Sequence, residues 1–400
     1  MKLSLPNKVI GLSIAVLLIA LLGAANANAQ ASSNWLINQA KKKFDTNQDG
    51  ILQKAEVTGR LKDSFDLFDK DSDGQLDQDE MLALANQFGG SIANRLKNQK
   101  KAFQKNIPVP KSLRRKTNIA YRKGGSKNWK LDIVWPKAKP ESPLPAIVFV
   151  HGGGWTTGDK GDKLWRNMPI AYAQKGYVCI SVNYRLTGEA PLPACISDCK
   201  NAVRWLRANA EKYHVDPDRI GAFGISAGGH LVAMLALATA EANLEGAGPY
   251  QEYSSAVSAV CCVAAPANFL KWFGEEIDIT KISPKLVRFF GENDVNKIRD
   301  MATKVSPIAW VKPDTDPSVP LLIIHGTNDL TVPVFQGDSF AKALEEAKFD
   351  VKYLKFDGGH GAFHQHQKET LPAVEKFFAR TLKETKPKQT AKINSDFKKD

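Results

Sequence analysis

A serine between two glycines is the residue of this chain best suited to act as a nucleophile. Ser226 is the central residue of Gly-Ile-Ser-Ala-Gly at 224–228. The segment 219–223 before it has the pattern of a short buried strand, and the Ala- and Leu-rich segment 230–239 after it has that of a helix, so a strand, a tight turn and a helix are predicted. A G-x-S-x-G sequence in that context is typical of a nucleophile elbow, which exposes the serine hydroxyl. We therefore expect Ser226 to attack an electrophilic carbon and form an acyl-enzyme.

A glycine-rich loop upstream could stabilise the negative charge that this attack creates. The apolar run 146–150 leads directly into His-Gly-Gly-Gly-Trp at 151–155. Glycines after a strand leave backbone N–H groups free to point at an oxyanion. A flexible turn or a nucleotide loop is the alternative, but no G-K-[ST] sequence follows. We expect the amides of Gly153, Gly154 and Ala227 to form an oxyanion hole.

Two later strand ends supply a candidate acid and a candidate base. Asp329 follows the buried run 320–324, and His360 follows the alternating run 351–356. Their order after Ser226 is the order of serine, acid and histidine in α/β-hydrolases. His360 would take the serine proton, and Asp329 would orient the imidazole and stabilise its charged form. This chemistry requires no metal or organic cofactor.

Other side chains compete for these roles. Asp357 is only three residues from His360 on the same loop, and Asp294 follows no clear strand, so both are weaker candidates for the acid. We expect His364 and His366, which follow His360 closely, to lie at the surface. We expect His151 and His325 to hold their loops by hydrogen bonds.

Two acidic segments near the N terminus match the twelve-residue EF-hand loop. Each has side-chain oxygens at loop positions 1, 3, 5, 9 and 12, a backbone carbonyl at position 7, and glycine at position 6. Leu52 and Leu76 at position 8 are expected to pair the loops. The sequence predicts two Ca²⁺ ions, one held by Asp45, Asn47, Asp49, Ile51, Gln53 and Glu56, the other by Asp69, Asp71, Asp73, Gln75, Asp77 and Glu80.

The two calcium loops are closely spaced, since they start at residues 45 and 69. This spacing resembles the compact calcium repeats of secreted bacterial proteins, dockerin modules included. Residues 45–80 carry 11 acidic and 4 basic side chains, so their mutual repulsion would be relieved by bound cations. We expect a structural module that folds when metal binds, rather than a calcium sensor.

The motifs of the C-terminal part resemble those of α/β-hydrolase esterases. The H-G-G-G-W loop, the G-x-S-x-G elbow and the segments 176–186, 198–206 and 214–220 are similar to those of the hormone-sensitive-lipase and bifunctional acetylxylan/feruloyl esterase type, over residues 117–383. The resemblance implies a serine carboxylesterase for small acyl esters, such as acetyl or feruloyl groups on plant polysaccharide. Relatives often carry an acid soon after the proline at position 266, where this chain has Ala-Asn-Phe.

Segments with the pattern of strands alternate along the chain with segments that have the pattern of helices. This alternation predicts a mainly parallel, doubly wound α/β sheet. The irregular segment 270–312 is expected to be a lid or pocket wall. The predicted organisation is a signal peptide at 1–29, a small all-α EF-hand module at 34–94, a basic linker at 95–116, the catalytic domain at 117–383 and a Lys-rich disordered tail at 384–400.

The charge is uneven, with 55 Lys and Arg against 42 Asp and Glu. The basic linker and tail could contact an anionic surface, although a solvated linker and tail is the simpler interpretation, and no nucleic-acid motif is present. The signal peptide predicts a secreted or periplasmic protein. We expect no essential disulfide among the five cysteines. Two other functions stay open: a serine amidase or peptidase, arylformamidase-like enzymes included, and a calcium-dependent binding or docking protein.

Overall fold

The computed structural model describes residues 37, 41, 44–47, 49–57, 65–77 and 79–81, and residues 107–384 other than 239, 272–283, 313–317 and 330. The chain divides into two compact units, Met1–Lys105 and Asn106–Asp400. The predicted signal peptide lies outside the described residues, and so do 95–106 of the predicted linker and 385–400 of the predicted tail. In the described part of the chain, no helix has the length and apolar character needed to cross a membrane.

In the N-terminal unit, two short strands join the acidic segments. Strand β1 (Leu52–Gln53) pairs antiparallel with β2 (Gln75–Leu76), and Leu52 lies opposite Leu76, as the sequence predicts. Both leucines are fully buried in a small apolar core that includes the 3-10 turn Phe65–Leu67. Pairing at this position fixes the two acidic loops relative to each other.

An eight-stranded sheet forms the centre of the second unit. Its strands are β3 (Leu113–Ala120), β4 (Lys130–Pro136), β5 (Leu144–Val150), β6 (Val178–Val182), β7 (Val215–Ile225), β8 (Ala259–Val263), β9 (Leu321–Gly326) and β10 (Val351–Phe356). The spatial order is β10-β9-β8-β7-β5-β6-β4-β3. Pairs from β10 to β6 are parallel, whereas β4 and β3 are antiparallel to their neighbours. The predicted mainly parallel α/β fold is confirmed.

Side chains on both faces of the sheet are buried. In β5, Ala146, Val148 and Val150 belong to one apolar cluster, and Ile147 and Phe149 belong to the other. Burial on both faces explains why these strands read as continuous apolar runs instead of alternating ones. The described helices are Lys163–Gln174, Ala194–Ala208, Ala210–Tyr213, Ala227–Leu237, Pro284–Phe290, Val295–Lys304, Val334–Glu346, Ala362–Gln365 and Gln367–Phe378.

The first strand of the sheet was not predicted. β3 begins at Leu113, inside the segment 95–116 that the sequence predicts as a linker. It lies at the edge of the sheet, and Arg114 and Lys116 are exposed while Leu113 is buried. An edge strand buries few side chains, so its sequence carries little apolar pattern, and exposed cations there discourage pairing with another chain.

All five cysteines are free and buried, which agrees with the expectation that none forms an essential disulfide. Burial raises the pKa of each thiol, Cys179 and Cys261 among them, so these groups stay protonated. The cysteines therefore act as small apolar residues of the core.

Candidate active site

Ser226 lies at the sharp turn between β7 and the helix Ala227–Leu237. Its backbone has φ 58° and ψ −123°, a conformation that non-glycine residues rarely adopt. The amide of Ser226 donates to the carbonyl of Val263 at 2.8 Å, and its carbonyl accepts from the amide of His230 at 3.0 Å. These bonds hold the strained turn in place, and strain of this kind is common at functional sites.

The glycines around Ser226 are required by close backbone contacts. A Cβ on Gly224 would lie 2.2 Å from the carbonyl oxygen of Gly228, and a Cβ on Gly228 would lie 2.1 Å from the carbonyl oxygen of Val150. Both obstacles are backbone atoms of the sheet and the turn, which cannot swing away. The elbow therefore tolerates no side chain at either glycine.

The loop after β5 packs directly against this elbow. A Cβ on Gly152 would lie 2.7 Å from the carbonyl oxygen of Ile225 and 3.4 Å from Cβ of Ser226. Gly153 and Gly154 have φ values of 116° and 57°, which favour glycine. The carbonyl of Gly153 accepts the amides of Thr156 and Thr157, both at 3.1 Å, which fixes the orientation of its peptide. The glycine loop is thus rigid and adjacent to the serine.

Ala227, the third residue expected in the oxyanion hole, is the first residue of the helix Ala227–Leu237. Amides in the first turn of a helix have no carbonyl partner within the helix, and the helix dipole makes this end positive. The arrangement suits an anion beside Ser226.

Asp329 and His360 are in direct contact. The Nδ1 atom of His360 lies 2.8 Å from Oδ2 of Asp329. The Asp329 side chain is fully buried, whereas that of His360 is 29% exposed. The hydrogen bond assigns Nδ1 as the protonated nitrogen, which leaves Nε2 as the nitrogen able to accept a proton.

The environment of Asp329 keeps its carboxylate ionised. Burial by itself would raise the pKa of Asp329, but hydrogen bonds from His325 and His360 and from the amide of Val332 outweigh it. They hold the pKa of Asp329 well below its ordinary value. The amides of Thr331 and Val332 donate to Oδ1 at 2.9 and 3.0 Å. A carboxylate held in this way can orient an imidazole and stabilise its positive charge.

The sheet places these groups at one edge. Ser226 follows β7, the glycine loop follows β5, Asp329 follows β9 and His360 follows β10, and these strands are parallel. Carboxyl ends of parallel strands meet at the same edge, where α/β folds place their sites. Phe223, three residues before the serine, also packs on Phe363, three residues after the histidine, with ring centroids 5.7 Å apart.

The competing carboxylates have structural partners elsewhere. Asp357 is exposed and accepts a hydrogen bond from Nδ2 of Asn328 at 2.9 Å. Asp294 caps the helix Val295–Lys304, because its Oδ1 accepts the amides of Asn296 and Lys297. Both carboxylates thus form hydrogen bonds with groups other than the imidazole of His360.

The loop-holding role expected for His151 and His325 agrees with their contacts. Nδ1 of His151 lies 2.8 Å from the carbonyl oxygen of Gly152, and its ring stacks on Tyr184 with centroids 4.3 Å apart. Burial lowers the pKa of His151, which favours the neutral ring. Nε2 of His325 lies 2.8 Å from the carbonyl oxygen of Val332, in the loop that carries Asp329.

His364 and His366 are more buried than expected. We expected both at the surface, but each is only partly exposed. The short helix Ala362–Gln365 turns the chain back over the sheet, so that the ring of His366 packs 5.1 Å from that of Phe356. Burial lowers the pKa of His364.

His230 is a residue that the sequence analysis did not single out. It is fully buried in the first turns of the helix after Ser226. Its Nδ1 accepts a hydrogen bond from Nε1 of Trp155 at 3.2 Å, and its Nε2 lies 2.7 Å from the carbonyl oxygen of Val305. A histidine within an otherwise apolar helix was the available signal. It ties the glycine loop to the helix behind the nucleophile.

A buried polar cluster anchors the far end of the glycine loop. Nδ2 of Asn183 donates to Asp159 at 2.7 Å, and its Oδ1 accepts the amide of Lys160 at 2.6 Å. The ammonium of Lys160 pairs with Asp132 at 3.0 Å, and both side chains are almost fully buried. Removing one partner of such a pair is costly, because the other charge is left buried. The loop is therefore held at both ends.

Aromatic side chains after β8 pack on Trp155. The ring centroids of Phe269 and Phe289 lie 5.5 and 5.1 Å from that of Trp155. The segment 270–312 was expected to be an irregular lid or pocket wall, but its described part contains regular helices, the first being Pro284–Phe290. These contacts place an aromatic wall beside the glycine loop.

Asn268 occupies the position where the resemblance leads one to expect an acid. Its side-chain Oδ1 accepts hydrogen bonds from the backbone amides of Leu270 and Lys271 at 3.0 and 3.1 Å. Its backbone amide donates to Oε1 of the buried Gln336 at 2.8 Å. The side chain is thus used to hold a turn.

In the N-terminal unit, the acidic loops have features that suit cation binding. Ligand oxygens of Asp69, Asp71 and Asp73 lie within 4.8 Å of one another. Oδ1 of Asp45 is buried and has no hydrogen-bond partner among the residues that the structure describes. Gly50 and Gly74, at loop position 6, have φ of 83° and 79° and allow the sharp turn.

Several known proteins with related sequences are esterases. Esterase LipC of Mycobacterium tuberculosis is 29% identical over 272 residues, which are 65% of this chain and 64% of that protein. Esterase LipQ of the same organism is 31% identical over 62% of this chain and 57% of that protein. The chain thus spans less than two thirds of the length of these relatives.

Solved structures with a similar fold include a truncated carbohydrate esterase from gut microbiota, with a TM-score of 0.61 and 26% identity over 70% of this chain and 100% of that one. Esterase 2 of Thermogutta terrifontis with bound butyrate has a TM-score of 0.55 and 26% identity over 68% of this chain and 94% of that one. The model of the BD-FAE family matches residues 131–344, more than half of the 400 residues, and includes the glycine loop, Ser226 and Asp329. The chain belongs to the BD-FAE family.

Proposed function

We propose that this protein is a carboxylesterase that hydrolyses small acyl esters through an acyl-enzyme on Ser226. The observation that carries the proposal is the 2.8 Å contact between His360 and the buried carboxylate of Asp329, at the sheet edge that also holds the strained Ser226. The esterases among the related sequences support it.

The first half of the reaction forms the acyl-enzyme. Nε2 of His360 accepts the Ser226 proton as Oγ attacks the ester carbonyl carbon, and the carbonyl oxygen becomes an oxyanion. The amides of Gly153, Gly154 and Ala227 stabilise that charge, and each such donor contributes on the order of 3 kcal/mol to lowering the barrier. The tetrahedral intermediate then breaks, and His360 gives its proton to the leaving alcohol.

The second half releases the acid. Water attacks the acyl carbon while His360 accepts one of its protons, and collapse of the second intermediate returns that proton to Oγ of Ser226. Asp329 stays ionised throughout and stabilises the imidazolium in both halves.

The proposed substrates are acetyl or feruloyl esters of a polysaccharide, and the proposed location is secreted or periplasmic. A carbohydrate esterase and a bifunctional GH43-CE protein of Bacteroides eggerthii, at 28% identity and a TM-score of 0.59, support the substrate class. The aromatic wall of Trp155, Phe269 and Phe289 supports a flat or short acyl group.

Hydrolysis of p-nitrophenyl esters from acetate to octanoate tests the activity. The mature wild type should prefer short chains, and Ser226→Ala should lose the activity while keeping the wild-type melting temperature. Equal inertness of both proteins would refute the esterase, and cleavage of peptide or formyl amides alone would replace it with an amidase.

We also propose that the N-terminal unit binds two Ca²⁺ ions through the oxygen ligands of its acidic loops. The clustered carboxylates of Asp69, Asp71 and Asp73 and the unpaired Oδ1 of Asp45 support this. Bound calcium would offset the repulsion among the acids and stabilise the module. Titration of the calcium-free protein with Ca²⁺ should release heat from two sites and raise the melting temperature, and Mg²⁺ should do so weakly. Absence of heat and of any thermal shift would refute the calcium sites.

A further inference from the structure

A hairpin at the antiparallel end of the sheet carries a large excess of positive charge. Residues 107–139 contain ten Lys or Arg and one acid, Asp132. Asp132 is buried and already paired with Arg115 at 2.7 Å and with Lys160 at 3.0 Å. The remaining cations of the hairpin are therefore not neutralised within it.

The turn of this hairpin, residues 121–129, lies at the active-site edge. β4 is antiparallel to β6, so β4 begins where β6 ends. Contacts at that point are direct: the hydroxyl of Tyr121 donates to the carbonyl of Asn183 at 2.9 Å, and the amide of Asn183 donates to the carbonyl of Lys130 at 3.0 Å. The carboxyl ends of β5 and β7, which carry the glycine loop and Ser226, form the same edge.

The segment 185–189 contacts both the turn and the glycine loop. The guanidinium of Arg185 lies 5.2 Å from the ring centre of Trp129, and two residues later the amide of Thr187 donates to the carbonyl of Trp155 at 2.8 Å. Nδ2 of Asn128 also donates to Glu189 at 2.7 Å. The turn 121–129 is therefore connected to the oxyanion loop through the segment 185–189.

In the part of the chain that the structure describes, the guanidinium of Arg122 is held in place within this turn and donates no hydrogen bond. Its guanidinium lies 4.1 Å from the ring centre of Trp129, whose own Nε1 is fixed by Asp198 at 3.0 Å. Arg185 contacts the same ring, but Asp198 neutralises it. Among the described residues, Arg122 has no carboxylate partner, and a guanidinium stacked in this way is pre-organised to bind one.

We propose that Arg122, with the exposed Lys123 and Lys127, binds the carboxylates of an acidic polysaccharide, so that the esters cleaved at Ser226 are those of uronate-bearing glycans. The proposal rests on the esterase function proposed above. A guanidinium fork matches the two oxygens of a carboxylate. A polysaccharide whose acyl group lies at Ser226 must extend from the site across this edge of the sheet, and the turn 121–129 is a positively charged wall at that edge.

A membrane surface fits this wall less well. Proteins that bind the interface combine cations with exposed large apolar side chains. In the described part of the chain, the exposed large apolar residues are Ile107, Tyr253 and Leu371, and none belongs to the turn 121–129. Trp129 is buried beneath Arg122, so it is not available for insertion.

The test compares two variants of the full-length protein with the same change in charge. One replaces the three cations of the turn, Arg122→Gln, Lys123→Gln and Lys127→Gln. The matched control replaces three exposed lysines at the opposite end of the hairpin, Lys111→Gln, Lys137→Gln and Lys139→Gln, where the amide of Lys137 donates to the carbonyl of Ser112. Substrates are acetylated glucuronoxylan, acetylated neutral xylan and p-nitrophenyl acetate.

The turn variant should lose about tenfold in kcat/KM on glucuronoxylan through a raised KM. It should keep its activity on neutral xylan and p-nitrophenyl acetate, and the control should match the wild type. Salt at 0.5 M should abolish the wild-type preference, since the Debye length at that concentration is only about 4 Å.

The proposal is overturned if the wild type and the turn variant have the same kcat/KM on the acidic xylan as on the neutral one. It is also overturned if both triple variants lose kcat/KM on glucuronoxylan equally. The third contrary result is a turn variant that loses only its binding to phosphatidylserine vesicles. Failure of the esterase function itself looks different. In that case, the wild type does not exceed Ser226→Ala on p-nitrophenyl acetate.

Discussion

The indole Nε1 of Trp155 donates a hydrogen bond to Nδ1 of the buried His230 at 3.2 Å, and this bond joins the oxyanion loop to the helix that begins at the nucleophile. His230 in turn lies 2.7 Å from the carbonyl oxygen of Val305. A neutral ring with its proton on Nε2 satisfies both partners at once. The glycine loop, the helix after Ser226 and the segment of Val305 are therefore held together by one imidazole.

Replacing Trp155 with Phe should test this bond. Trp155→Phe keeps an aromatic ring against Phe269 but leaves Nδ1 of His230 buried and unpaired, which costs about 1–3 kcal/mol. We expect that loss in the free energy of unfolding, together with a lower kcat because the glycine loop is less well fixed. Trp135→Phe, which removes an indole packed on Tyr213, is the matched control. Equal losses in both variants would mean that ring size, and not the hydrogen bond, is responsible.

The same histidine should make stability depend on pH. Burial lowers the pKa of His230 to about 4, against about 6.5 in an unfolded chain. Between these values the unfolded chain binds a proton that the folded chain does not, so the free energy of unfolding falls as pH falls, by about 1.4 kcal/mol per unit. From pH 7 to pH 5, the loss due to His230 should be about 2 kcal/mol.

Urea unfolding of the wild type and His230→Gln at pH 7 and pH 5 measures this contribution. The variant should be less stable at pH 7 but should lose about 2 kcal/mol less between the two pH values. Trp135→Phe, which removes no titratable group, serves as the control and should keep the wild-type dependence. A variant with the wild-type pH dependence would show that His230 does not titrate in this range.

The roles of the two candidate carboxylates can be separated kinetically. Asp329→Asn keeps the size of the side chain but presents an amide to His360, which disfavours the tautomer that accepts the serine proton. We expect kcat for p-nitrophenyl acetate to fall by about 10³- to 10⁴-fold. Asp357→Asn, at an exposed carboxylate, should change kcat by less than about twofold. A large loss in the second variant alone would transfer the role of the acid to Asp357.

The ends of the central strands could be predicted from the sequence, because these strands are buried on both faces and are therefore continuous apolar runs. Ser226 and Asp329 follow such runs, whereas His360 follows the alternating edge strand β10, and the fold brings the three strand ends to one edge. The contact between Asp329 and His360 then follows from the pairing of β9 with β10. Local pattern and global fold agree here, as expected for a minimally frustrated sequence.

What the sequence did not reveal depends on contacts between distant segments. Strand β3 is charged and exposed, so it has no apolar pattern, and only its pairing with β4 makes it a strand. The bond of His230 to Trp155 joins residues 75 positions apart, and that of Gln336 to Asn268 joins residues 68 apart. Neither leaves a local signal beyond an isolated polar residue in an apolar stretch.

Gly228 offers a test of the elbow that does not touch any proposed catalytic group. A Cβ at this position would lie 2.1 Å from the carbonyl oxygen of Val150 and 2.7 Å from that of His151. These are backbone atoms at the end of β5, so Gly228→Ala must push the glycine loop away from Ser226 or distort the helix. Overpacking of this kind costs about 1–3 kcal/mol of unfolding free energy. Since the displaced loop carries the oxyanion donors, we expect kcat for p-nitrophenyl acetate to fall more than tenfold.

Gly188 provides the comparison for Gly228→Ala, because a Cβ there would meet no atom of the described residues within 4 Å. Gly188→Ala should leave both kcat and the melting temperature close to the wild-type values. If Gly228→Ala lowered stability but left kcat unchanged, the glycine loop would not be the source of the oxyanion donors. That outcome would require the charge on the tetrahedral intermediate to be stabilised from the helix end at Ala227 instead.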